Sequence, residues 1–252
     1  MGPSQVTQAI ILRTRPYAES DKIVTFLSDD AGKLTGIAKG AKNSKRRFAN
    51  CLDPFTRVRV HFRARPGAGM VFMESCDLLR PPGALCEPAK FAYGSYLVEI
   101  IDQLTAEAQP VRELYTLLAE GLDLLERGAA TAVFLRAFEL QLLYHAGYDP
   151  DLRSCAQCRQ SVLGAPQAFL DATQGYLLCA ACRIKGQTLF PLSGETLAGL
   201  EALKTVSLAT ARHRRFTPMV AAEASRLMTA LLAQHLPRPL RSVKLIAALS
   251  RP

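Results

Sequence analysis

Arg57-Val58-Arg59-Val60-His61-Phe62-Arg63 is the stretch that decides the fold of the first third of the chain. Val58, Val60 and Phe62 alternate with Arg57, Arg59, His61 and Arg63, which is the period of a strand with one apolar and one polar face. Working outward, Phe55 begins this strand, and Val6 to Arg13, Ile23 to Ser28, Lys33 to Lys39 and Val71 to Leu79 supply four more. Asp29-Asp30-Ala31-Gly32 reads as a turn between the second and third, and Arg65-Pro66-Gly67-Ala68-Gly69 breaks the chain before the fifth. Five short strands within about 80 residues fit a small closed barrel of the oligonucleotide-binding (OB) type. An open sheet packed on the helices that follow would show the same pattern.

Arg80-Pro81-Pro82-Gly83 ends this region, and beyond it the apolar period changes from two to about 3.6. Helices are expected at 87–105, 110–127, 131–146, 193–207, 217–235 and 239–249, with Pro88, Pro110 and Pro218 near three helix starts, where a missing N–H costs nothing. Gly147 is a favoured stop for the third. Leu114, Leu117, Leu118, Leu122 and Leu125 trace one face of the second helix and read as core. The expected architecture is α+β and multidomain: an OB-type barrel over 1–80, and an all-α domain over 81–252 that carries an inserted zinc-ribbon-like module at about 151–186.

That module rests on Cys155-Ala-Gln-Cys158 and Cys179-Ala-Ala-Cys182, separated by twenty residues. Two C-x-x-C pairs at this separation match a four-cysteine zinc site. Each pair offers two thiolates from a tight knuckle, and Phe169-Leu170 and Tyr176-Leu177-Leu178 form a hairpin that brings the second knuckle round. Arg153, Arg159, Arg183 and Lys185 can offset the formal charge of −2 on four thiolates around Zn²⁺. Disulfides, free thiols and an iron site are the other readings, and an intracellular setting disfavours the first. Four cysteines close the coordination sphere, so zinc would be structural. Cys51, Cys76 and Cys86 read as buried small apolar residues.

Net charge is +9, and residues 1–80 hold 14 Lys and Arg against 7 Asp and Glu. A polyanionic partner follows, with nucleic acid ahead of an anionic membrane. Lys39-Gly40-Ala41-Lys42-Asn43-Ser44-Lys45-Arg46-Arg47-Phe48 concentrates this charge in a loop. Gly, Asn and Ser loosen its backbone, its five cations can follow a phosphate chain, and Phe48 can meet a base face. Arg57, Arg59 and Arg63 share one strand face and extend the surface. Arg214 and Arg215, within Arg212-His213-Arg214-Arg215, offer a second contact, whereas Arg238, Arg241 and Lys244 suit an ordinary helix flank as well.

No apolar run reaches the roughly 18 residues needed to span a bilayer, and no secretory leader is visible, so a cytoplasmic protein is expected. Gly32-Lys33 lacks a P-loop, because Leu27 and Leu34 stand where Gly and Ser or Thr are required. His61, His145, His213 and His235 show no ligand-like spacing, and no nucleophile, base and orienting group assemble. A binding protein is favoured over an enzyme. An RNA-binding barrel protein of RNA processing or translation is the rival from another class, and a metal-dependent enzyme would need an open zinc position.

Glu19-Ser20-Asp21-Lys22-Ile23-Val24, Gly32-Lys33-Leu34, Ala38-Lys39-Gly40-Ala41 and Leu52-Asp53-Pro54-Phe55 together resemble the N-terminal signature of the RecO family. Ala146-Gly147-Tyr148-Asp149-Pro150-Asp151-Leu152 leads into the first cysteine pair as in its zinc-bearing members, and Leu240-Arg241-Ser242 is similar to its C-terminal basic motif. The resemblance implies a DNA repair and recombination mediator, associated with the nucleoid. It implies binding of single- and double-stranded DNA, annealing of complementary strands, and partnership with RecR in loading RecA. It also implies contact between the helical domain and the acidic C-terminal tail of single-stranded DNA-binding protein. Two positions depart from the family pattern: Arg159 replaces the usual Gly after the second cysteine, and Gln174-Gly175-Tyr176 stands where a double Gly is common.

Overall fold

The computed structural model describes residues 2–64, 67, 69–109, 112–128, 130–183, 186 and 188–249. These form two compact units, Met1–Gly128 with Leu240–Pro252, and Ala129–Pro239.

In the first unit β1 (Ser4–Tyr17), β2 (Asp21–Ser28), β3 (Lys33–Ala38), β4 (Arg57–Arg63) and β5 (Val71–Arg80) close a barrel in the order β1-β2-β3-β5-β4. The closed form, not the open sheet, is the outcome. β1 makes closure possible by serving two neighbours. Its residues Ser4–Ile10 pair with β4, and Ala9–Tyr17 pair with β2. A register shift between Ile11 and Arg13 inserts Leu12 as an extra residue, and such a bulge bends the strand and sharpens its twist. The parallel contact of Gly36–Ala38 with Val71–Met73 completes the ring. Gly36 is required there, since a Cβ would lie 2.7 Å from Met73 Cγ.

Inward alternation fills the barrel with Ile11, Val24, Phe26, Val58, Val60, Phe62 and Met73. Phe26 and Phe62 meet edge to face, with centroids 6.4 Å apart. Several strand ends shift by one or two residues from the sequence expectation, and two differences have a clear cause. β1 continues past Arg13 to Tyr17, because its polar second half pairs with β2 without needing an apolar face. Phe55 does not open β4: it adopts φ +70°, donates its N–H to Ile11 O at 2.9 Å, and buries its ring against Phe91. Arg65, Pro66 and Ala68 of the expected chain break lie outside the described residues.

The helices are α1 (Pro88–Leu104), α2 (Arg112–Arg127), α3 (Ala132–His145), α4 (Gly194–Leu203), α5 (Leu208–Ala211), α6 (Pro218–Ala233) and α7 (Ser242–Leu249). Pro88 and Pro218 occupy first-turn positions as expected, and Pro110 lies outside the described residues. In the first unit α1, α2 and α7 accompany the barrel. Asp123 of α2 pairs with Arg57 of β4 and Arg80 of β5, both at 2.6 Å, which ties helix to barrel. The Glu99 carboxylate of α1 accepts the backbone N–H groups of Arg241 and Ser242, so α7 starts there and not at 239.

The second unit holds α3 to α6 with β6 (Gln167–Asp171), β7 (Tyr176–Leu178) and β8 (Leu189–Ser193), a small sheet in the order β7-β6-β8. Thr131 caps α3 by accepting from Phe134 N, and Gly147 follows at φ +83°. The helix expected over 193–207 ends early, α4 stopping at Leu203, and a short helix that was not expected follows it: Ser207 caps α5 by accepting from Thr210 N at 3.2 Å.

Candidate functional site

The two C-x-x-C segments fold as two knuckles at one end of the small sheet. In the first, Cys155 N–H reaches Gln160 O and Arg159 N–H returns to Cys155 O, while Ala156 N–H bonds Leu177 O of β7. In the second, Cys182 N–H bonds Cys179 O. The connecting hairpin turns at Asp171, whose Oδ1 accepts from Thr173 N, Thr173 Oγ1 and Gln174 N. Those bonds, the Thr173 hydroxyl first, hold the Asp171 carboxyl below the ordinary carboxylate range.

The result is a set of four sulfurs, from Cys155, Cys158, Cys179 and Cys182, that lie within 4.8 Å of one another. Tetrahedral thiolate coordination at about 2.3 Å places sulfurs about 3.8 Å apart. Cys158 Sγ and Cys179 Sγ are 3.7 Å apart. Burial opposes ionisation of Cys155, yet the backbone N–H groups of Cys158, Cys179 and Gln157 bring its thiol down to about 6. Cys182 faces Cys158 and the other sulfurs and is pushed up to about 12. The backbone thus favours a thiolate at Cys155 while the neighbouring sulfurs oppose one at Cys182, a conflict that a bound cation relieves. The four residues could hold a metal ion.

Two of the four cations expected around the cluster have engagements of their own. Arg153 pairs with Glu201 at 2.7 Å, and the Arg183 guanidinium lies 4.9 Å from the Phe169 ring centroid. Arg159 is exposed and adopts φ +62°. Lys185 lies outside the described residues. Cys51 and Cys76 are buried as expected, whereas Cys86 is exposed, at the end of a 3-10 turn, Gly83–Cys86, ahead of α1.

Lys39, Lys42, Lys45, Arg46 and Arg47 are all exposed on the segment that follows β3. This segment is built, not loose. Gly40 takes φ +67° and gives its N–H to Asp21 Oδ1, and Ala41–Asn43 forms a 3-10 turn. Lys42 N–H bonds Ser20 O, and its ammonium reaches the carbonyls of Ala18 and Glu19. Arg47 Nη2 donates to Lys39 O, while Cys76 N–H donates to Arg47 O. Phe48 is not a base-stacking ring: it is 4% exposed and packs with the barrel core, as do Ala41 and Leu52. Phe55 and Phe62 are buried too, and Tyr17 is 48% exposed.

Arg57, Arg59 and Arg63 share the outer face of β4, but of these three only Arg59 lacks an ion pair among the described residues. Arg57 bonds Asp123 and Ala119 O, and Arg63 pairs with Glu74 at 2.6 Å. Arg214 and Arg215 are exposed in the turn after α5, with Arg215 Nη1 donating to Arg212 O and Arg214 O. The sequence reading overlooked Lys33, which is 9% exposed and bonds both the carbonyl and the carboxylate of Asp102. It ended the first strand at Arg13 and so passed over Arg15, which the extension of β1 carries outward together with Tyr17.

A closed oligonucleotide-binding-type barrel with a cationic segment at one end, joined to a helical region with a metal-ready four-thiol module, is the class these features define. Residues 1–82 match the family model described as Recombination protein O N terminal, and residues 87–244 the one described as Recombination protein O C terminal. The chain is 38% identical over 232 residues to the DNA repair protein RecO of Anaeromyxobacter sp. (strain K), covering 92% of this chain and 91% of that one. It is 35% identical over 242 residues to the protein of that name from Myxococcus xanthus, with 95% of each covered. For Geobacter sulfurreducens the figures are 34% over 246 residues, 96% and 97%. The chain belongs to the RecO family of DNA repair proteins. No helix among the described residues is long and apolar enough to cross a membrane.

Proposed function

We propose that this protein binds single- and double-stranded DNA, anneals complementary strands, and acts with RecR to load RecA onto DNA coated by single-stranded DNA-binding protein. The observation that carries the reading is the anchored segment Lys39–Arg47, which holds five cations in solvent while Ala41 and Phe48 fix its backbone to the barrel. A rigid cationic rim lowers the repulsion between two polyanions, and contacts to phosphates leave bases free to pair. Arg59 continues this surface, whereas Arg57 and Arg63, each paired with a carboxylate, add little net charge to it. Arg214 and Arg215 are a second DNA contact, and the helical region takes the acidic tail of single-stranded DNA-binding protein.

No catalysis is required, because pairing of complementary strands is itself downhill. Zn²⁺ fills the four-cysteine module, one per chain. Four thiolates leave no position for a reactive water, so the ion is structural. The protein works in the bacterial cytoplasm, at the nucleoid.

The deciding experiment is annealing of complementary single strands without nucleotide, with and without single-stranded DNA-binding protein, over a salt series. Annealing that persists on coated strands and weakens as salt rises supports the reading. DNA binding without annealing removes the mediator role, and preference for RNA of the same sequence moves the protein to RNA metabolism.

A further inference from the structure

The extension of β1 places Arg13, Arg15 and Tyr17 at alternate positions, so all three emerge on the outer face of the barrel, and all three are exposed. Register sets Arg13 beside Thr25 and Thr25 beside Thr35, while Arg15 lies beside Ile23 and Ile23 beside Ile37. A cleft of about 290 Å³ opens over these rows, with Ile23 in its lining and Met70, 38% exposed, also at its wall. A polar line crosses it: Arg13 Nη2 to Thr25 Oγ1 at 3.5 Å, Thr25 to Thr35 at 3.4 Å, and Thr35 Oγ1 to Glu107 Oε1 at 2.9 Å. Arg13 also lies 3.6 Å from Asp102, whereas Arg15 has no ion-pair partner among the described residues. The Lys42 ammonium grips the carbonyls of Ala18 and Glu19, the two residues after Tyr17. The cationic segment therefore lies against the turn that follows Tyr17.

We infer that the cleft takes an unstacked base of a single DNA strand, with Arg15 of its lining holding the adjoining phosphate and Tyr17, the next outward residue of β1 beyond Arg15, as the stacking ring. This rests on the reading of the protein as a DNA binder and divides its labour. The segment Lys39–Arg47 meets phosphates, which single strands and duplexes both present. The cleft meets a base face, which only a single strand can offer, because a duplex keeps its bases paired and stacked. The Glu107 carboxylate and the threonine hydroxyls accept the N–H groups of a base edge. Glu107 also excludes a phosphate from the cleft interior, which leaves the anion to Arg15 at the rim.

The test uses the full-length protein and fluorescence anisotropy with a labelled oligothymidylate and a labelled hairpin duplex. Tyr17→Ala weakens single-strand binding roughly tenfold and duplex binding less than about twofold, and Tyr17→Phe restores the single-strand affinity. Arg15→Ala lowers the salt slope for the single strand by about one contact's worth. Photocrosslinking of a strand bearing 5-iododeoxyuridine places the adduct on Tyr17. Equal loss on both DNA forms, or an unaffected single strand in a variant that melts like the wild type, overturns the cleft. The variant with Lys42, Lys45, Arg46 and Arg47 all changed to Ala separates the two readings. Loss of both DNA forms there, with Tyr17→Ala silent, removes the cleft and keeps the DNA binder. Wild-type protein that binds neither form removes both.

Discussion

The guanidinium carbon of Arg47 lies 5.3 Å from the centroid of the Phe48 ring, so one exposed cation and one core ring are neighbours in the chain and in space. Phe48 is 4% exposed and sits among the inward side chains of the barrel. Arg47 bonds Lys39 O across the base of its loop and accepts Cys76 N–H from β5 through its own carbonyl. The cationic segment is thus joined to the barrel core by the packing of Phe48 as well as by hydrogen bonds.

Removing that ring should damage stability and DNA binding together. Phe48→Ala leaves a cavity in a filled barrel and is expected to cost about 3–5 kcal/mol. Lys45→Ala and Arg46→Ala, whose side chains are exposed, should change stability by less than about 0.5 kcal/mol. Urea unfolding of the three variants reads the difference. If Phe48→Ala unfolds at the wild-type midpoint, the ring is not an anchor.

For the four-cysteine module, Cys155→Ser or Cys179→Ser should lower the melting temperature markedly while DNA binding at low temperature is nearly retained. A strong chelator should have the same effect on the wild type, and the metal should be recovered as one zinc per chain by elemental analysis. Metal uptake should release protons, since ligands must bind as thiolates. Unchanged stability with lost binding would make the module a contact surface instead.

The barrel and the metal module were legible in the sequence for opposite reasons. Strand alternation at Val58, Val60 and Phe62 and the paired C-x-x-C spacing are local patterns, and the structure retains both. What escaped depended on partners distant in the chain. The inward turn of Phe48 is set by β5 and the barrel core, and no pattern in Lys39–Phe48 distinguishes a stacking ring from a plug. Arg57 looked like part of a basic row because Asp123, 66 residues later, was not yet its neighbour. β1 seemed to end at Arg13 because its second half is polar on both sides, and its pairing with β2 needs no apolar signal there. Cys86 was grouped with Cys51 and Cys76 on residue type alone, and only its place in a turn exposes it.

Arg159 tests the knuckle geometry directly. Its φ of +62° is costly for a side chain with a Cβ and free for glycine. Arg159→Gly is therefore expected to stabilise the module by about 1 kcal/mol. Gly175→Ala should do the reverse, since φ is +70° and a Cβ there would meet Gln234 Cγ at 2.7 Å. Thermal melts of the metal-loaded variants decide both, and a destabilised Arg159→Gly would show that the arginine side chain holds the knuckle.

Glu223 gives the second unit a specific acid sensitivity. Its Oε2 accepts Ser193 N at 2.8 Å, Ser193 Oγ at 2.7 Å and Thr196 Oγ1 at 2.5 Å, so α6 clamps the start of α4. Burial acts to raise the Glu223 carboxyl, but those three bonds and nearby Arg226 outweigh it and hold the group below the ordinary carboxylate range. A carboxyl depressed in the folded state stabilises above its unfolded value of about 4.3, and that contribution is lost as pH falls through the folded value. Glu223→Ala should cost about 2 kcal/mol near neutral pH, because it strands the donors around Ser193. The gap between variant and wild type should narrow once pH falls below about 4, where the wild-type carboxylate is itself neutralised. Urea midpoints from pH 7 down to pH 3 measure that gap, and a constant difference across the series would assign the effect to packing, not to charge.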